Sequence, residues 1–157
     1  MSIELTMRRV SPYVYDRMMR GESSFPYRYV AESGQIAKHW EVMAFILANG
    51  NRANPGPAVA IVGGQRLPGE QPMDQDFGGT RLFSSPKVAE VAEMLAQLSD
   101  EEYRRRFEHL DFTGVYGSEL NGRPAHDVDV SLQHLHHLRA FYGAAAQAGD
   151  AMMLWLD

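Results

Sequence analysis

Apolar side chains at Ile3, Leu5 and Met7 alternate with polar ones across residues 2–10, the two-residue period of a half-buried strand. At Ser11-Pro12 the pattern changes. A hydroxyl able to cap precedes a proline with no N–H to lose at the first helical position, which predicts a short helix to Arg20, stopped at Gly21. Residues 21–34, rich in Gly, Ser and Tyr, read as a loop, with Tyr27 and Tyr29 expected across the edge of the core. Ile36, Trp40, Met43, Ile46 and Leu47 then recur at three- and four-residue steps, so a core helix is expected over Ile36–Asn49, ended by Asn49-Gly50-Asn51. Ala58–Val62, set between Pro55-Gly56-Pro57 and Gly63-Gly64, reads as a short buried strand, and residues 65–78 as a long polar surface loop.

Further along, Thr80-Arg81-Leu82-Phe83 is a brief strand and Ser85-Pro86 repeats the cap-plus-proline start. The helix it opens carries Val88, Val91, Met94, Leu95 and Leu98 on one face. Ser99-Asp100-Glu101-Glu102 is a capping box that starts another helix, with Tyr103 and Phe107 facing inward. Residues 110–124 read as irregular, with Val115-Tyr116 extended. A long helix from about His126 to Gln147 places Val128, Leu132, Leu135, Leu138, Tyr142 and Ala145 on one stripe; Gly149 ends it and Ala151–Leu156 is a last strand. Strands near positions 3, 59, 81 and 153, separated by helices, predict an α+β fold. Its sheet is expected to be small and mixed, of about four strands, with helices packed mainly on one face, in a single domain over residues 1–157.

Composition narrows the function classes. A chain of 157 residues can bury one sizeable core without a metal or disulfide. Cysteine is absent, which excludes disulfides, thiolate metal sites and cysteine nucleophiles. The start of the chain has no basic stretch followed by an apolar run, and the longest apolar windows are too short to span a bilayer; a cytoplasmic protein without membrane contact is expected. The formal charge of −5 argues against nucleic-acid binding, which depends on cations that neutralise phosphates. Arg104-Arg105-Arg106 lies among acids at helical spacing (Glu101–Arg105, Glu102–Arg106) and reads as a solvated, salt-bridged face.

Several segments, taken in order, resemble the bacterial YfbM-like family, itself of unknown function. Ile36–Gly50, with its lysine-x-tryptophan helix and leucine-rich end, is similar to one family segment, and Val59–Gly64 to the apolar run and Gly-Gly that follow. Phe77-Gly78-Gly79-Thr80-Arg81-Leu82, Val88–Leu95, Val115-Tyr116, Leu138–Tyr142 and Ala151–Leu156 continue the likeness, which runs over roughly residues 36–157 and more loosely over 2–20. Where the family usually places Pro after the Tyr or Ile, Gly117 stands. The resemblance implies an α+β fold and a bacterial cytoplasmic setting, and carries over no catalytic residues.

Among candidate chemistries, His126, His134, His136 and His137 crowd one helix, yet only His134 and His137 have the i,i+3 spacing of a two-ligand helical site, and no His-Glu-x-x-His occurs. No metal or other cofactor is expected. Gly63-Gly64 and Gly78-Gly79 fit no phosphate-binding motif. Gly117-Ser118-Glu119 lacks a nucleophile elbow, so no catalytic residue is assigned. A ligand pocket, if formed, is expected where Lys38, His39, Trp40 and Glu41 meet Arg81 and the segment from Tyr116 to Glu119, a set that combines aromatics with opposite charges. The leading functional expectation is a non-catalytic binding module, monomer or homodimer, that masks a basic protein partner in the manner of an immunity protein. The alternative is a small-molecule-binding domain or small enzyme with its pocket at the second helix.

Overall fold

The computed structural model describes residues 3–22, 33–36, 39–70 and 79–156. Lys38, Tyr27 and Tyr29 lie outside them, as do residues 71–78 of the expected loop. Strand β1 is Leu5–Val10, helix α1 Pro12–Met19, β2 Ser33–Ile36 and α2 Trp40–Leu47. A 3₁₀ turn, Gly56–Ala58, leads into the short helix α3, Val59–Val62. There follow β3 Gln65–Arg66, β4 Arg81–Phe83, α4 Ser85–Gln97, α5 Asp100–His109, α6 Val128–Ala148 and β5 Ala151–Leu156. The expected α+β class holds.

The strands order as β2-β1-β5-β4-β3, with the C-terminal strand at the centre. Every pairing among the described residues is antiparallel, so the sheet is not the mixed one expected. Strict alternation sorts its two faces. Leu5, Met7, Phe83, Met152 and Leu154 enter the main core with α2, α4, α5 and α6, whereas Val10, Leu82, Ala151 and Met153 pack against Val14 and Met18 of α1. Most helical mass therefore lies on one face, and α1 covers the other.

Helix starts follow the hydroxyl and carboxylate caps. Ser11, Ser84, Ser99 and Asp127 each accept a hydrogen bond from a backbone N–H three residues on, for α1, α4, α5 and α6. The helix expected from His126 accordingly begins at Val128, after Asp127.

Three further expectations are corrected. The cap of α4 is Ser84, one residue before the expected Ser85. Ile36 belongs to β2, where it pairs with Leu5, so the core helix begins only at Trp40. Ala58–Val62 is helical, not a strand. A five-residue apolar run has no period that separates the two, and here tertiary partners decide. The buried Tyr142 hydroxyl donates to the Ala60 carbonyl (2.6 Å), and Arg81 Nη2 and Nη1 donate to the carbonyls of Ile61 (2.9 Å) and Gly63 (2.8 Å). Gly63 closes this turn because a side chain there would meet the Val59 carbonyl oxygen at 2.7 Å.

Arg81 is one of four arginines with the same task. The last carbonyls of a helix lack intrahelical partners and carry its negative dipole end, so a cation with several donors suits them. Arg106 serves Ile46 and Leu47 at the end of α2, Arg139 serves Leu95 and Leu98 beyond α4, and Arg123 serves Phe107 and Leu110 beyond α5. The arginine triplet is thus not wholly a solvated face. Arg104 and Arg105 pair on the surface with Asp129 and Glu102, but the Arg106 side chain, only 16% exposed, joins α5 to α2.

Candidate functional site

The side of α2 turned away from the sheet forms one wall of an apolar groove of about 260 Å³, lined by Trp40, Ala44, Phe45, Ala48, Ala58 and Val62, with Glu41 and Arg52 at its polar margin. Ala44 and Ala48, one helical turn apart at the end of α2, and Ala58, which follows Pro55-Gly56-Pro57, keep this lining low. Trp40 is partly buried rather than fully so, and its indole N–H is shut off from solvent with no hydrogen-bond partner.

Beyond Glu41 lies a second, shallower depression, walled by Thr113–Tyr116 and Ser118–Asn121. Glu41 belongs to both. Its Oε2 accepts the Tyr116 backbone N–H at 2.7 Å, and its Oε1 lies 3.8 Å from Arg52 Nη2. Tyr116 leans on Trp40 with ring centroids 6.2 Å apart. The loop behind them is held by Ser118, whose hydroxyl faces the carbonyls of Phe112 and Val115 at 2.7 and 2.5 Å. That hydroxyl tightens a turn and is not presented as a nucleophile. Gly117 adopts φ +88, which proline cannot reach.

Of the residues expected to line a pocket, Trp40, Glu41, Tyr116, Ser118 and Glu119 lie along this strip. Arg81 does not: it is 9% exposed, its guanidinium is committed to α3, and burial pulls its pKa down to about 10. His39 turns instead toward α6. Its Nδ1 is 3.1 Å from Nε2 of His134, and its ring stacks on His126 at 3.8 Å. Lys38 lies outside the described residues.

Phe45, Arg52, Val62 and Leu120 are strip residues that the sequence reading missed. Val62 was expected inside a strand, but it is 47% exposed. Leu120, fully exposed between Glu119 and Asn121, carried a readable signal: a lone large apolar residue in a polar, irregular segment.

Among the described residues no group of His, Asp and Glu has metal-binding geometry, and no helix is long and apolar enough to cross a membrane. Burial drives the Tyr103 and Tyr142 hydroxyls far above their ordinary pKa and that of His134 below it; both tyrosines are core groups hydrogen-bonded to Ser131 and Ala60.

No curated protein matches the sequence. The fold is similar to a solved structure described as a protein of unknown function, YfbM, from Escherichia coli, with a TM-score of 0.67, 16% identity and 100% of each chain covered. At that identity the likeness speaks for the fold alone. A family model described as "Domain of unknown function (DUF1877)" matches residues 2–155, nearly the whole chain, and the protein therefore belongs to this YfbM-like family.

Proposed function

We propose that the protein is a non-catalytic binding module, and that it docks a basic protein partner on the strip running from the α2 groove across Glu41 to the loop at residues 113–121. One observation carries this reading. Of the four large apolar side chains exposed among the described residues, Val62, Tyr116 and Leu120 all line this strip, and only Tyr13 lies elsewhere. Exposed apolar groups gathered on one face mark interaction surfaces, whereas scattered ones do not. Trp40, Tyr116 and Arg52 are of the types that dominate interface energetics. Glu41 and Glu119, with a chain charge of −5, favour encounter with a cationic partner.

The groove volume of about 260 Å³ suits one inserted side chain better than a cofactor, since drug-sized sites begin near ~300 Å³. The test is affinity capture from the source cells with wild type and with the Val62→Asp/Leu120→Asp variant, followed by reconstitution from purified components. A basic protein that binds wild type, loses at least ten-fold affinity for the variant and associates more slowly at high salt supports the reading. Equal binding by the variant refutes it, and saturable uptake of a small molecule with no protein bound would favour a ligand-binding domain instead.

A further inference from the structure

The strip carries a projection and a recess side by side. The projection is Leu120, which is fully exposed and so buries nothing in its own chain. The turn beneath it is firmly built. The Gly122 N–H donates to the Glu119 carbonyl (3.0 Å) and the Glu119 N–H to the Arg123 carbonyl (2.8 Å), which puts Leu120 and Asn121 at the corner. Asn121 Oδ1 accepts the Arg123 N–H at 2.9 Å, and the Arg123 guanidinium ties the base of the loop to the Leu110 carbonyl at 3.0 Å. The recess is the α2 groove, whose low alanine lining leaves about 260 Å³, room for one aliphatic side chain. The two are neighbours, because Glu41 lines both depressions.

Charge follows the same division. Glu119 is exposed beside Leu120, and its carboxylate has no ion-pair partner among the described residues. Arg52 stands beside the groove with its side chain 67% exposed, and it meets Glu41 only at 3.8 Å, a long distance for an ion pair. A surface that holds a groove, a projection that fits it, an available cation and an unpaired anion is complementary to a second copy of itself.

We propose that the strip also pairs two copies of this chain about a two-fold axis, each Leu120 seated in the other copy's groove and each Glu119 facing the other copy's Arg52. An axis lying in the plane of contact, across the strip near Glu41, exchanges projection and groove, the self-complementary arrangement of most homodimers. Glu41 approaches its own copy there, but its charge is met within each chain by the Tyr116 N–H and by Arg52. The preset turn means that little freedom is lost when Leu120 is seated. This goes beyond the docking of a basic protein: both contacts use one strip, so a second copy and the basic partner exclude each other, and self-pairing keeps the apolar side chains covered until that partner arrives.

Sedimentation velocity on the purified full chain over a concentration series, with no other protein present, tests the pairing. Wild type should pass from monomer to dimer as concentration rises. Arg52→Glu and Glu119→Arg, both at exposed positions that keep the fold, should each weaken the dimer by about ten-fold or more, because the opposed like charges occur twice by symmetry. Mixed in equal amounts, the two variants should form a heterodimer, since every contact then joins opposite charges. Leu120→Asp should be monomeric, while the distant surface control Glu108→Arg should pair as wild type does. A chain that stays monomeric at every concentration overturns the proposal and leaves the docking reading standing. A dimer indifferent to the two charge variants also overturns it, as does a mixture of them that fails to pair. Rescue in the mixture, with no basic protein captured from cells, would sink the docking reading alone.

Discussion

Replacing Trp40 separates its two roles, packing mass and misplaced donor. The ring contacts the main core, leans on Tyr116 at 6.2 Å and walls the groove, yet it is only partly buried. Large aromatic truncations in a sealed core cost ~3–5 kcal/mol, so Trp40→Ala should cost less, about 2–3 kcal/mol. Trp40→Phe is the sharper probe. The smaller ring forfeits about 1 kcal/mol of burial. It also deletes a buried N–H with no partner, the kind of group whose unmet hydrogen bond costs about 1–3 kcal/mol. The two offset, and Phe should fall within about 1 kcal/mol of wild type. Urea denaturation at constant m-value reads both variants, and Trp40→Ala should lower the melting temperature by about 4–9 °C in a domain of this size. Should Phe destabilise as much as Ala, the indole N–H has a partner and the geometry assigned to the groove wall is wrong.

Arg106→Met strips the donor from the carbonyls of Ile46 and Leu47 and should cost about 1–3 kcal/mol in urea titrations, clearly more than Arg105→Met on the open surface; equal effects would deny that Arg106 caps α2. Hydrogen bonds from Arg105 and Arg106 lower the Glu102 pKa to about 2, so its contribution is present above the ordinary carboxylate range and lost as pH falls through that value; Glu102→Gln should make the acid limb of a pH–stability curve shallower, and an unchanged limb would contradict it. Dialysis against a chelator should leave the melting temperature unaltered, whereas stoichiometric bound metal whose removal destabilises the fold would make ligands of the helix-six histidines.

Sequence pattern carried far where a local rule acts alone. Ser11, Ser99 and Gly149 end or begin helices as their chemistry dictates, the alternation in residues 2–10 placed β1, and the length and flanks of the apolar run 151–156 placed β5. It failed where distant partners decide. Nothing near Ala60 or Ile61 announces that Tyr142 and Arg81 will satisfy their carbonyls and make the segment helical. Likewise Ile36 reads as the first residue of a helical stripe until Leu5 is seen to pair with it. The site divides along the same line. Trp40 and Tyr116 announced themselves as aromatics beside charge, while His39 was assigned to the wrong surface because its partners, His126 and His134, lie some ninety residues away. Arg81 read as a site cation, but its guanidinium completes a helix end.

On the proposed reading, a bound partner covers the strip from Trp40 to Val62 and from Thr113 to Asn121. Hydrogen exchange on the full chain, alone and with the partner recovered by capture, tests it directly. Exchange should slow in those two segments alone, with α1 and the exposed face of α4 unchanged. Protection centred on α1 or α4, with the strip exchanging as in the free protein, would contradict it.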